Sequence, residues 1–113
     1  MKQDNPGASD ARPAIALSGR LAAVASDQRM RIIALLAEER LHVSELARRI
    51  GMSRPLLYMH LAKLEEAGFV TGSLELGEDG KALKYFALTP FELVITTETI
   101  VAAVAADSTD GEE

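Results

Sequence analysis

Two short apolar-periodic segments lie on either side of a single glycine turn at Gly51, and no other feature constrains this chain as strongly. Ser44 offers an N-cap to a helix over 45–50, with Glu45 well placed against the helix dipole. Gly51 stops that helix. Ser53 then caps a second one, with Pro55 in its first turn, where a missing N–H is harmless. Leu57, Leu61 and Leu64 recur at i, i+4 and i+7, which makes one buried stripe. Gly68 follows as the left-handed residue that ends the helix.

The flanking segments complete the pattern. From Pro13 an apolar rhythm of Ile15, Leu17, Leu21 and Val24 predicts a helix over 14–25. Ser26-Asp27 is a fresh N-cap, and Met30, Ile32, Ile33, Leu35 and Leu36 carry a helix to 38. Leu41-His42-Val43 is long enough only for an extended bridge. Beyond Gly68 the apolar period changes from 3.6 to 2. Strands over 73–76 and 81–88 flank Gly77-Glu78-Asp79-Gly80, in which Asp79-Gly80 is a tight-turn signal. Pro90 interrupts, Phe91, Leu93 and Ile95 alternate briefly, and a last helix over 97–106 carries Ile100, Val101 and Val104. The expected organisation is a disordered polar tail over 1–12, a domain over 13–106 with terminal dimerisation helices, and an acidic disordered tail over 107–113. The fold class is mainly α with a small β-hairpin (α+β), five helices and a β-wing. Two helices joined at the spacing of a helix-turn-helix, with a hairpin straight after, make a winged helix-turn-helix.

Size and composition agree with one globular domain. The chain has 113 residues, and 48% of them are hydrophobic. It has no cysteine, which removes disulfides, thiolate metal clusters and a thiol nucleophile. It has no apolar run of about 18 residues and no apolar segment near its start, so a cytoplasmic protein without membrane contact is expected.

Charge is unevenly spread. The total is −5. Residues 1–19 are neutral. Residues 20–63 hold Arg20, Arg29, Arg31, Arg40, Arg48, Arg49, Arg54 and Lys63 against Asp27, Glu38, Glu39 and Glu45, a net +4. The remainder sets Lys81 and Lys84 against eleven acids, a net −9. A basic half joined to an acidic half is a polarised molecule, and the basic half is the one with the paired helices.

The residues Asp27-Gln28-Arg29-Met30-Arg31-Ile32-Ile33 through Leu36, Val43-Ser44-Glu45-Leu46-Ala47-Arg48-Arg49-Ile50-Gly51-Met52-Ser53-Arg54-Pro55 and His60-Leu61-Ala62-Lys63-Leu64-Glu65-Glu66-Ala67-Gly68-Phe69-Val70 carry a resemblance. Over residues 16–89 the sequence resembles the ArsR/SmtB-type winged-helix transcriptional regulators. The resemblance implies a dimeric, sequence-specific DNA-binding regulator, most simply a repressor. It implies a homodimer through the first and last helices, and two recognition helices in successive major grooves of an inverted-repeat operator in double-stranded DNA. It also implies a wing over the flanking minor groove or backbone. The apolar stripes of Leu17, Leu21 and Val24 and of Ile100, Val101 and Val104 fit that dimer interface.

On the second helix of the pair the solvent-side positions are Arg54, Leu56, Tyr58, Met59 and Lys63. Arg54 stands where a guanidinium can fork onto guanine or a phosphate. The Ser53 hydroxyl and the neighbouring amides suit a phosphate. Lys63, Arg48 and Arg49 suit the DNA backbone. Leu56, Tyr58 and Met59 depart from the family, whose members usually carry polar residues there. Their apolar atoms suit thymine methyls or a partner protein. The wing tip departs too, with acidic Glu78 and Asp79 offset by Lys81 and Lys84. The alternative function is therefore a protein-interaction adaptor or co-regulator on the same fold, one that needs a second regulatory protein or a metal signal to bind DNA.

No cofactor is expected. The last helix offers Glu98 and Asp107 out of phase and no histidine, so it lacks the paired ligands of metal-sensing relatives. His60 matches the family's recognition-helix histidine, which looks structural. A divalent metal at a dimer surface would have to use His42 beside Glu38 and Glu39. The chain is not expected to be an enzyme: it has no nucleophile–base–orienter set, and Gly77 to Gly80 is a hairpin tip with no helix after it to cradle a phosphate.

Overall fold

The computed structural model describes residues 12–111. Among them run α1 (Pro13–Val24), α2 (Asp27–Glu38), β1 (Leu41–His42), α3 (Val43–Ile50), α4 (Arg54–Glu66), β2 (Val70–Leu76), β3 (Ala82–Leu88) and α5 (Thr97–Gly111). The five expected helices and the wing are present, and the fold is a winged helix-turn-helix.

Local chemistry sets most boundaries. The Ser26 hydroxyl accepts from the Arg29 amide at 3.2 Å and starts α2. The Ser53 hydroxyl accepts from the Leu56 amide at 3.4 Å and starts α4. Gly68, at φ +85°, ends α4: its N–H reaches the Glu65 carbonyl at 3.0 Å, and the Phe69 N–H reaches the Leu64 carbonyl at 2.9 Å. That pair of bonds satisfies two otherwise orphaned carbonyls, and it aims Phe69 into the core.

The start of α3 corrects the expected Ser44 cap. His42 is the N-cap residue, its Nδ1 accepting from the Glu45 amide at 3.4 Å, and the helix begins at Val43. The Ser44 hydroxyl instead accepts from the Arg54 guanidinium at 2.6 Å.

The sheet is larger than the expected two-stranded hairpin. Its order is β1-β3-β2, antiparallel throughout. Leu41 pairs with Phe86 and His42 with Tyr85, so the bridge segment is a third strand. β2 starts at Val70 rather than 73, because Val70 pairs with Leu88 and is buried there. The alternation at Phe91, Leu93 and Ile95 is not strand; the Phe91 ring lies 4.1 Å from the Phe69 ring, and Ile95 is exposed.

Ile32, Leu36, Leu46, Leu57, Leu61, Leu64, Phe69, Val70 and Phe86 form the heart of the core. Each such side chain contributes roughly 1.5–3 kcal/mol by leaving water. Helices α2, α3 and α4 therefore meet around one apolar centre that the sheet closes from below.

The last helix runs to Gly111, past the expected end at 106, so the tail expected from Asp107 begins too early. Its start is a reciprocal pair: the Thr96 hydroxyl accepts from the Thr99 amide at 3.0 Å, and the Thr99 hydroxyl accepts from the Thr96 amide at 2.9 Å. Asp107 reaches across the molecule, its Oδ1 accepting from the Ala14 amide at 3.2 Å. Arg12 lends α1 no side-chain cap, so a carboxylate from α5 supplies one. Of the expected N-terminal tail, all but Arg12 lies outside the described residues.

Candidate nucleic-acid interface

The turn at Gly51 (φ +73°) points α4 outward from α3. One face of α4, with Leu57, His60, Leu61 and Leu64, is buried. The opposite face presents Arg54, Leu56, Tyr58, Met59 and Lys63 to solvent, and Met59 is 59% exposed. The five solvent-side residues expected from the sequence thus share one surface. Arg54 is not loose on it: the bond to Ser44 ties the guanidinium to the first turn of α3.

Arg48 and Arg49 are committed to acids. Arg48 forks onto Glu45, with Nε donating to Oε1 at 3.1 Å and Nη2 to Oε2. Arg49 donates Nε to the same Oε2 at 2.8 Å and Nη2 to Glu39 at 3.3 Å. These hydrogen bonds, from Arg48 first and then Arg49, push the Glu45 carboxyl down to about 2. Glu39, Glu45, Arg48 and Arg49 together carry no net charge. Among the described residues no carboxylate lies within ion-pair distance of Arg54 or Lys63.

On the wing, Lys81 stands exposed at the turn, its amide donating to Asp79 Oδ1 at 3.0 Å. Lys84 folds back, with Nζ 5.6 Å from the Phe86 ring centre. Its stem crosses Gly72, where an added Cβ would stand 2.9 Å from Lys84 Cε and 2.8 Å from Phe86 Cε1. Both lysines thus make their described contacts within the wing itself.

Three arginines to which the sequence alone assigns no role make contacts between elements. Arg40 pairs with Glu75 and lies 4.3 Å over the Tyr85 ring, bracing the wing against β1. Arg20 lies 4.8 Å over the Phe69 ring. Arg29 donates Nε to His60 Nδ1 at 3.2 Å and Nη1 to the Ala23 carbonyl at 3.1 Å. No local spacing announces these contacts, because each joins elements whose register only the fold defines.

His60 is a buried structural residue, as the resemblance implied. Burial first, and then the Arg29 charge, pushes its imidazolium pKa down from 6.5. His42 spends its Nδ1 on the Glu45 amide and sets its ring edge-on to Tyr85, 5.6 Å between centres. Among the described residues no group of three or more His, Cys, Asp and Glu side chains is placed to hold a metal ion. No described helix is long and apolar enough to cross a membrane.

Known proteins share this arrangement. Residues 26–71, which span α2 to the start of β2, match the family of bacterial regulatory proteins called the arsR family. The uncharacterized HTH-type transcriptional regulator MJ0229 of Methanocaldococcus jannaschii is 33% identical over 78 residues, 69% of this chain and 81% of that protein. Among solved structures, NolR from Sinorhizobium fredii superposes with a TM-score of 0.58 at 23% identity, over 98% of each chain. A possible transcriptional regulatory protein (fragment 1-100) from Mycobacterium bovis superposes with a TM-score of 0.58 at 20% identity, over 88% of this chain and 94% of that one. These two show the shared fold. The matched family is one of regulatory proteins, and the Methanocaldococcus relative is an HTH-type transcriptional regulator. With its winged helix-turn-helix intact from Ser26 onward, this chain belongs to the ArsR family of DNA-binding transcriptional regulators.

Proposed function

We propose that the protein is a homodimeric repressor that reads an inverted repeat in double-stranded DNA by laying α4 in the major groove. The observation that carries this is the outward face of α4, where a pinned Arg54 stands beside exposed Leu56, Tyr58, Met59 and Lys63. A groove about as wide as a helix accepts such an element. Arg54 reads guanine or holds a phosphate, and the apolar run meets thymine methyls. Ser53 and the first-turn amides of α4 hold a phosphate, and Lys81 and Lys84 on the wing stay nearest to flanking backbone. The dimer forms through α1 and α5. Leu17 and Leu21 pack against Ile100 and Val104 within the chain, but the two helices leave an apolar groove between them, and Ile100, Val101 and Val104 remain exposed. A second copy covers that surface. Bound across a promoter, such a dimer blocks transcription by occupancy.

The test combines mass and binding. Light scattering should give about twice the 12.1 kDa chain mass at micromolar concentration. A duplex recovered from a randomised pool should contain an inverted repeat. Arg54→Ala should weaken its binding by roughly tenfold or more and relax base preference, with the fold unchanged. A stable monomer, or an Arg54→Ala protein with unaltered affinity and footprint, overturns this reading.

A further inference from the structure

We propose that Arg29 is a positioning residue: by holding His60 through Nε and the last turn of α1 through Nη1, it sets the orientation at which α4 meets DNA. The proposal rests on α4 being the reading helix. Arg29 is half-buried in the first turn of α2, and its own amide is fixed by Ser26. Its planar fork reaches two helices at once, His60 Nδ1 on α4 and the Ala23 carbonyl of α1. That carbonyl lies in a final helical turn, where backbone acceptors lack helical partners. A lysine ammonium lacks the fork's fixed divergence.

The histidine shows that this bond determines geometry. Within the buried stripe of α4, positions 57, 61 and 64 are leucine and position 60 alone is polar. An apolar residue at 60 would continue the leucine stripe but leave the Arg29 Nε–H without its partner. The imidazole instead accepts from Arg29 through Nδ1, so its proton sits on Nε2, which is buried with no hydrogen-bond partner among the described residues. An unpaired buried donor costs stability. What the ring supplies in return is direction: a leucine face tolerates small rotations and slides of α4, whereas a directional N–H···N bond of 3.2 Å to a guanidinium braced on α1 does not. The residue that fixes the reading helix is thus tied to α1, one of the two proposed dimer helices.

The experiment measures, for each variant, affinity for the duplex enriched from a random pool by the wild-type protein and for an unrelated duplex of equal length. Arg29→Lys and His60→Leu should each lower the ratio of the two affinities by about tenfold, the worth of one misaligned bidentate base contact. Both should keep a cooperative thermal transition and an unchanged far-ultraviolet circular dichroism spectrum. His60→Asn sets an amide oxygen near the position of Nδ1, so it should accept from Arg29 and hold the ratio close to wild type. A role in core packing alone predicts no such rescue. Equal losses on both duplexes, with a salt slope shallower by about one per contact, would make Arg29 a phosphate contact and overturn the proposal. A ratio unchanged in Arg29→Lys also overturns it, even if His60→Leu fails to fold. If the wild-type protein enriches no sequence, the reading role of α4 itself falls, an outcome distinct from either.

Discussion

His60 shows how a single buried group leaves a signature on the whole molecule. Its ring is neutral, disfavoured in the charged form by burial and by Arg29 facing it from α2. The unfolded chain takes up a proton near 6.5, but the folded chain does so only at lower pH. Stability contributed by the neutral ring is therefore present above 6.5 and is lost as pH falls from there through the lower folded value. Glu45 acts in a separate window. Its stabilising contribution is present above 4.5 and is lost as pH falls towards about 2. Urea melts at about pH 7.5 and about pH 5 should thus show wild type losing more stability than His60→Asn. Equal losses would mean that the ring titrates as if exposed. At this scale the sequence is legible where a residue acts on its own neighbours. Ser53, Pro55 and Gly68 could be read directly, because a cap or a left-handed turn is a local event. Arg29 and Arg40 could not, because their partners lie 31 and 35 positions away.

Among elements, α1 to α4 were legible with their ends to within a residue or two, but the first strand and the far end of α5 were not. Periodicity located α1 to α4 because one buried stripe per helix is a property of that helix alone. The first strand, β1, was hidden because its two residues become strand only through pairing with Tyr85 and Phe86. The end of α5 was hidden because acidic composition after residue 106 reads as tail, while Asp107 is held by the amide of Ala14. That contact joins the two terminal helices. Asp107→Ala should cost about 1 kcal/mol, as loss of an N-cap does. In a domain of this size that lowers the melting temperature by roughly 4–8 °C. Hydrogen exchange should localise the loss to the first turn of α1, and Asp107→Asn should restore most of it. Unaltered exchange in that turn would show that α1 needs no cap from α5.

For the whole molecule, the polarity of charge was legible but its availability was not. Counting Arg48, Arg49, Arg54 and Lys63 gives about eight phosphate contacts per dimer and a salt slope near −7. The structure pairs Arg48 and Arg49 with Glu45 and Glu39, which leaves Arg54 and Lys63 and a slope near −4.

One carboxylate shared by two arginines thus acts as a resident competitor for phosphate. Any duplex that lands on α3 must displace Glu45 before it gains either guanidinium, so arbitrary sequence gains little from them. A regulator in a genome searches past a vast excess of wrong sites, and each wrong site that holds it lengthens the search. Glu45→Gln should make the affinity for unrelated DNA rise, and the slope should steepen from near −4 to near −5, because Arg48 is released while Arg49 keeps Glu39. Single-molecule tracking should then show longer dwell times away from the operator and slower target location. Dwell times unchanged from wild type would mean that Glu45 lets go of its arginines without resistance.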